Sequence, residues 1–189
     1  MAAKKKRKRR PGGGKQKGSA FERVICKGLS LWVSHGKRED LFWRSDMLGG
    51  RGRREVNRGG RKLSLRLGDV SAVDPLGEDL TGRFYVECKF YRDLQLIPFM
   101  FFGGGVLSKF WAETMIRARD YCQYPMLIVK QNRLPVLVVL TGKGLRELLQ
   151  EPDFEGVQNR IGPVQGEGYC LVPLEKLTRT KYRDQSTRK

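Results

Sequence analysis

The chain has 189 residues, 39% of them hydrophobic, enough for one domain with a real core plus tails. No run approaches the roughly 18 apolar residues that a membrane span needs, and the basic start Met1-Ala-Ala followed by Lys4–Arg10 predicts no secretory signal. The net charge of +18 is concentrated in residues 1–17, 51–66 and 176–189 around a nearly neutral body, which excludes an evenly charged surface.

Residues 1–18, basic and Gly-rich, read as a disordered arm. Ser19 is placed to cap a helix over about 20–34, with Phe21, Val24, Ile25, Leu29 and Trp32 as its apolar face. Gly28 weakens that helix and suggests close packing, and Glu22 falls in its first turn, near the positive end of the dipole. Leu41–Ser45 reads as a first strand. Residues 46–64, with five glycines and six basic residues, read as a long functional loop.

A second strand is predicted over about 65–74 and a third over about 83–90, joined as a hairpin by a turn at Pro75. Residues 91–105 show no clean period and end in Phe99-Met-Phe-Phe-Gly-Gly-Gly105. Leu107–Cys122 carries Phe110, Trp111, Met115 and Ala118 near helical spacing. Met126–Val129 and Val136–Leu140 are continuous apolar strands, Lys143–Gln150 a short helix, and Tyr169–Val172 an edge strand. The last dozen residues look solvated. This order predicts an α/β fold, a mixed central sheet flanked by helices. Residues 19–175 would form the domain and 176–189 a basic tail.

Four scattered cysteines and the single His35 lack the spacing of a zinc site and read as reduced thiols. Three separated basic segments match the footprint of a polyanion binder, with nucleic acid the favoured partner.

The chemistry concentrates in the second and third predicted strands. Leu67-Gly-Asp-Val-Ser-Ala-Val-Asp74 carries Asp69, and Phe84-Tyr-Val-Glu-Cys-Lys-Phe90 carries Glu87 and Lys89. Strand alternation puts Glu87 and Lys89 on one face. Charge on an apolar strand is costly unless paired or bound to a metal. Asp69 and Glu87 on adjacent strands, with the backbone carbonyl of Cys88, would hold Mg2+ beside the Lys89 ammonium. That combination suits phosphodiester hydrolysis by an activated water, which Lys89 would orient while stabilising phosphoryl charge. Gly68 would let the backbone bend or approach another group closely. Glu22 would add a carboxylate from the first helix. Asp74 competes as an acid, but the Pro75 after it favours a turn role. Glu-x-Lys alone is common on surface strands; the ordered set, Glu22 then Gly68-Asp69 then Glu87-x-Lys89, makes it informative.

That set resembles the PD-(D/E)XK nuclease superfamily, with Gly68 where the family pattern has Pro. Gly18–Arg23, Phe42–Ser45 and Leu67–Gly77 resemble Holliday-junction resolvases and resolvase-type phage nucleases. The resemblance implies a restriction-endonuclease-like αβββαβ core, dependence on Mg2+ with Mn2+ as a substitute, and a homodimer acting on branched or duplex DNA. It also implies a catalytic serine after the first strand, for which Ser45 is the nearest match; an ordinary strand-end serine is the alternative.

Arg44, Arg51, Arg53, Arg54, Arg58, Arg61 and Lys62 are the expected DNA contacts. Phe99, Phe101 and Phe102 would either stack on unpaired bases or serve as core or dimer contact, the second being favoured. No membrane partner is expected. The expected location is the cytoplasm, that of a host bacterium for a phage protein; Lys4–Arg10 would also serve as a nuclear import signal in a eukaryotic setting. The competing readings are another PD-(D/E)XK nuclease (nicking, restriction-like or homing) and a basic binding module without catalysis.

Overall fold

A computed structural model describes residues 13–45, 67–149, 158–161, 168–180 and 182. The predicted arm up to residue 12 and the basic segment with Arg51, Arg53, Arg54, Arg58, Arg61 and Lys62 lie outside these residues.

The first helix, α1, spans Gly13–Val33. It begins earlier than expected, so Ser19 lies inside it and Glu22 is not in its first turn. Sequence propensity argues against helix at Gly13, Gly14 and Gly18. Tertiary contacts join this half of α1 to the sheet: the Lys17 ammonium sits 5.9 Å from the Phe90 ring centroid, and the Phe21 and Phe90 rings are 5.7 Å apart. Phe21, Ile25, Leu29 and Trp32 are buried as expected. Val24 is not; it is 64% exposed, and Cys26 and Val33 complete the buried stripe instead. Gly28 is not a point of close approach, since a Cβ added there would meet no neighbouring element within 4 Å.

Strand β1 (Phe42–Arg44) pairs antiparallel with β2 (Val70–Ala72) in a two-stranded ribbon. The expected turn at Pro75 is a helix, α2 (Pro75–Arg83), and the expected hairpin is a crossover. Asp74 has extended backbone and accepts a hydrogen bond from the Leu76 amide, and Pro75 opens the helix. Asp-Pro is therefore a helix start here. The crossover lets the chain entering β2 run parallel to β3 (Phe84–Tyr91), through a bridge between Gly68 and Val86.

The irregular segment after β3 contains α3 (Leu96–Phe102), followed by α4 (Gly105–Asp120). These lead to β4 (Tyr124–Gln131), parallel to β3. β5 (Val136–Thr141), α5 (Gly142–Leu149), β6 (Gln158–Ile161), β7 (Gly168–Pro173) and α6 (Leu174–Arg179) follow. The five-stranded sheet has the order β3-β4-β5-β7-β6. β7 is thus internal rather than an edge, because β6 pairs with its outer side.

The sheet is covered on both faces. Val86, Cys88, Met126, Ile128, Val138 and Leu140 pack in the core that contains α1. Leu127, Val129 and Val139 pack with Leu107, Trp111 and Met115 of α4. Burial on both faces explains why β4 and β5 read as unbroken apolar runs. The mixed sheet with helices on both sides is the predicted fold class. The chain end is less solvated than expected. Tyr182 is buried, donates to Asp79 Oδ2 at 2.6 Å and lies edge-on to Trp32, while the Trp32 indole donates to the Thr180 carbonyl at 2.7 Å.

Candidate active site

Two features of the main chain build the site. Gly68 has φ +81°, and a Cβ there would fall 2.3 Å from the Val86 carbonyl oxygen. Only glycine lets the chain bend this close to β3. Proline, fixed near φ −65°, cannot take that conformation, which accounts for the departure from the superfamily pattern. Immediately after it, the Asp69 amide donates to Val86 O at 2.8 Å, and Asp69 Oδ2 accepts from the Cys88 amide at 2.7 Å. Within a strand the N–H and C=O of one residue point to the same side. The Cys88 carbonyl therefore also faces Asp69, away from β4.

The second feature is the alternation of β3. It sets Tyr85, Glu87 and Lys89 in one row. Glu87 is 5% exposed and Asp69 7%. Glu87 Oε1 pairs with the Lys89 ammonium. Glu87 Oε2 accepts from the Tyr85 hydroxyl at 3.2 Å and lies 3.6 Å from Arg117 Nη1. Burial, and then the charge of Glu87, push the Asp69 pKa up to about 7, against the opposing pull of the Cys88 amide and Lys89. Burial works against the Lys89 ammonium, but the charge and hydrogen bond of Glu87, then Asp69, outweigh it and raise its pKa. The two acids and the lysine predicted from sequence are thus brought together in one buried corner.

Glu22 reaches the same corner from α1. It forms an ion pair with Arg44 at 3.1 Å. Its charge adds to the rise of the Asp69 pKa and, with Asp69, to that of Cys26, which burial and these carboxylates push up to about 12. Arg44, expected to touch DNA, is half-buried against Glu22 and ties β1 to α1. Ser45 is buried, and its amide donates to the Asp69 carbonyl at 3.0 Å, extending the β1–β2 ladder by one pair. Asp74 stands apart, capping α2 and binding Arg38 at 2.6 Å. Phe99 is core, whereas Phe101 and Phe102 are exposed on α3.

Sequence reading missed Tyr85 and Arg117. Tyr85 was legible, since it precedes Glu87 by two in the same strand. Arg117 follows Phe110 by two helical turns and so shares its side of α4; the Phe110 ring lies under the Lys89 ammonium. Nothing local marks that side as the one facing Glu87.

The profile of a family described as "Phage putative PDDEXK endonuclease" matches residues 13–181. The chain belongs to this family. No curated protein and no solved structure gives a significant match. Membership makes the protein a nuclease with DNA as its substrate, in a superfamily whose members generally use divalent metals.

The donor set of this family member fits a hard cation. Among the described residues no group of three or more His, Cys, Asp or Glu side chains is arranged to hold a metal. Two buried carboxylates beside a backbone carbonyl nevertheless suit Mg2+, which binds through one or two carboxylates and keeps several waters. Burial first, and then the charge of Glu87, disfavour the ionised form of Asp69, a cost that a bound cation would relieve. Among the described residues no helix is long and apolar enough to cross a membrane.

Proposed function

We propose that the protein is a Mg2+-dependent DNA endonuclease, with Mn2+ as substitute, that cuts branched DNA in the manner of a Holliday-junction resolvase. The observation that carries the reading is the buried pair Asp69 and Glu87, on adjoining segments of chain, with Lys89 in contact with Glu87. Asp69, Glu87 and the Cys88 carbonyl would hold the cation, which supplies Lewis-acid polarisation of the phosphate and lowers the pKa of water. Lys89, freed from Glu87, would orient the attacking water or donate to a phosphoryl oxygen. Arg117, 3.6 Å from Glu87 Oε2, would do the same from the α4 side. Glu22 would shape the acid cluster from α1, and Ser45 would support Asp69 through the ladder. The preference for branched DNA rests on the resemblance of Gly18–Arg23, Phe42–Ser45 and Leu67–Gly77 to resolvases. Homodimerisation and action in the cytoplasm of a host bacterium are proposed on the same ground.

The test offers a four-way junction, a linear duplex and a single strand side by side, with Mg2+ and with chelator. Wild-type protein should cut the junction fastest and nothing in chelator. Asp69→Asn should lower cutting by at least about a hundredfold, as loss of one electrostatic group at the reacting centre does, while DNA binding persists. Equal cutting of duplex and junction would replace the resolvase reading with a less selective nuclease. Undiminished cutting by Asp69→Asn would remove the site.

A further inference from the structure

The row of side chains on β3 does not end at Lys89. Every residue of the strand from Phe84 to Tyr91 is in register with β4, so alternation runs unbroken and Tyr85, Glu87, Lys89 and Tyr91 share one face. Helix α4 runs along that face, and its contacts fix the position of each member. Tyr121, which ends α4, stacks on Tyr85 with ring centroids 6.1 Å apart. Arg117 meets Glu87 at 3.6 Å. Phe110 serves two members: its ring centroid lies 5.7 Å from the Lys89 ammonium and 4.9 Å from the centroid of the Tyr91 ring.

Exposure rises along this row. Tyr85 is 2% exposed and Glu87 5%, Lys89 is half-buried, and Tyr91 is 46% exposed. The row therefore opens to solvent at Tyr91, just past the lysine. Among the described residues the Tyr91 hydroxyl takes part in no hydrogen bond, whereas the Tyr85 hydroxyl at the closed end donates to Glu87. A tyrosine held at its ring and free at its hydroxyl is a pre-positioned donor. Lys89 and Tyr91, two residues apart, stand about 7 Å from each other along the strand. Successive phosphates on a DNA strand have a similar spacing, and tyrosine hydroxyls are among the groups that bind phosphate oxygens.

We propose that the Tyr91 hydroxyl donates a hydrogen bond to the phosphate that neighbours the scissile one. The proposal rests on the nuclease reading of Asp69, Glu87 and Lys89. The protein then grips two successive phosphates, Lys89 on one and Tyr91 on the next, and needs a strand that continues past the cut.

Tyr91→Phe removes one exposed oxygen and keeps the ring on Phe110, so Tm should not change. Full-length protein is titrated in chelator with four-way junction DNA at several salt concentrations. Tyr91→Phe should bind about tenfold more weakly, the scale of one hydrogen bond to a charged group. The slope of log K against log salt should stay the same, because a hydroxyl displaces no counterion. In Mg2+ the variant should raise KM about tenfold with kcat nearly unchanged, the mark of a contact made equally in ground and transition states. A methylphosphonate, uncharged at one phosphate, is then placed on either side of the mapped cut. On one side it should cost wild-type protein about tenfold more affinity than it costs Tyr91→Phe. Wild-type affinity in Tyr91→Phe overturns the proposal, and if Tyr91→Leu is then weak, the ring rather than the hydroxyl meets DNA. A lowered Tm in Tyr91→Phe, or equal methylphosphonate losses in both proteins on both sides, overturns it as well. If Tyr91→Phe binds weakly but wild-type protein cuts nothing, the nuclease reading fails while a phosphate contact by Tyr91 stands. If wild-type protein cuts, Asp69→Asn does not, and Tyr91→Phe equals wild type, only the contact fails.

Discussion

At the scale of single residues, Gly68 decides whether the site assembles. Its left-handed backbone lets Asp69 donate to Val86 and present its carboxylate to Cys88. Replacing Gly68 with Ala would drive a methyl group into the Val86 carbonyl, so the Asp69 segment must move away from β3. Gly68→Ala should lose at least about a hundredfold in cleavage, on the scale of a misplaced reacting group, and about 1–3 kcal/mol of stability. Turnover with Mg2+ and denaturant melting measure the two. Cleavage that survives would mean that this close approach is not needed. The motif residues were legible because strand alternation marks Glu87 and Lys89 and apolar flanks mark Asp69, although Asp69 itself lies in a bend just before β2. Arg117 was not, because a helical arginine gains its meaning only from the strand it packs against.

At the scale of elements, α2 shows how one dipeptide redirects a chain. Asp74 caps the helix at Leu76 and holds Arg38, which also grips Asp40. The Leu76 amide, then Arg38, keep the Asp74 carboxyl below the usual carboxylate range. A depressed folded-state pKa adds stability above the ordinary carboxylate pKa, and this is lost as pH falls through the folded value. Asp74→Ala should therefore lower Tm at neutral pH and flatten the decline of Tm below about pH 4. Thermal melts from pH 7 to 2 read both effects, and an unaltered acid limb would show that the cap contributes nothing. The sequence carried this signal, but Asp-Pro before Leu-Gly fits a turn as well as a helix start, and only the partner strand decides between them. The longer α1 and buried Tyr182 were hidden for a related reason: both depend on distant rings, Phe90 for one and Trp32 for the other.

At the scale of the whole molecule, charge and chemistry occupy different parts of the sequence. The +18 excess lies mainly in the arm, the segment 51–66 and the tail, whereas the acids of the site sit in the neutral body. Affinity and cleavage should therefore separate. Replacing Arg51, Arg53 and Arg54 together with Ala should flatten the dependence of log K on log salt by about 2.7, roughly 0.9 per phosphate contact on duplex DNA. The comparison is made by binding titrations at several salt concentrations. An unchanged slope would place the phosphate contacts elsewhere. The layered α/β architecture was readable because β4 and β5, covered on both faces, leave continuous apolar runs. The sheet order was not, since pairing of β7 with both β5 and β6 leaves no comparable mark.

The junction between the ribbon and the main sheet has a further consequence. Glu87 belongs to β3, the strand at one end of the five-stranded sheet. Asp69 belongs to a strip attached there by the Gly68–Val86 bridge and by its own carboxylate on the Cys88 amide. The oxygen suited to capturing an ion is thus also a rivet between two parts of the protein. Loading the centre would redistribute that oxygen's allegiance and with it the hold on β1.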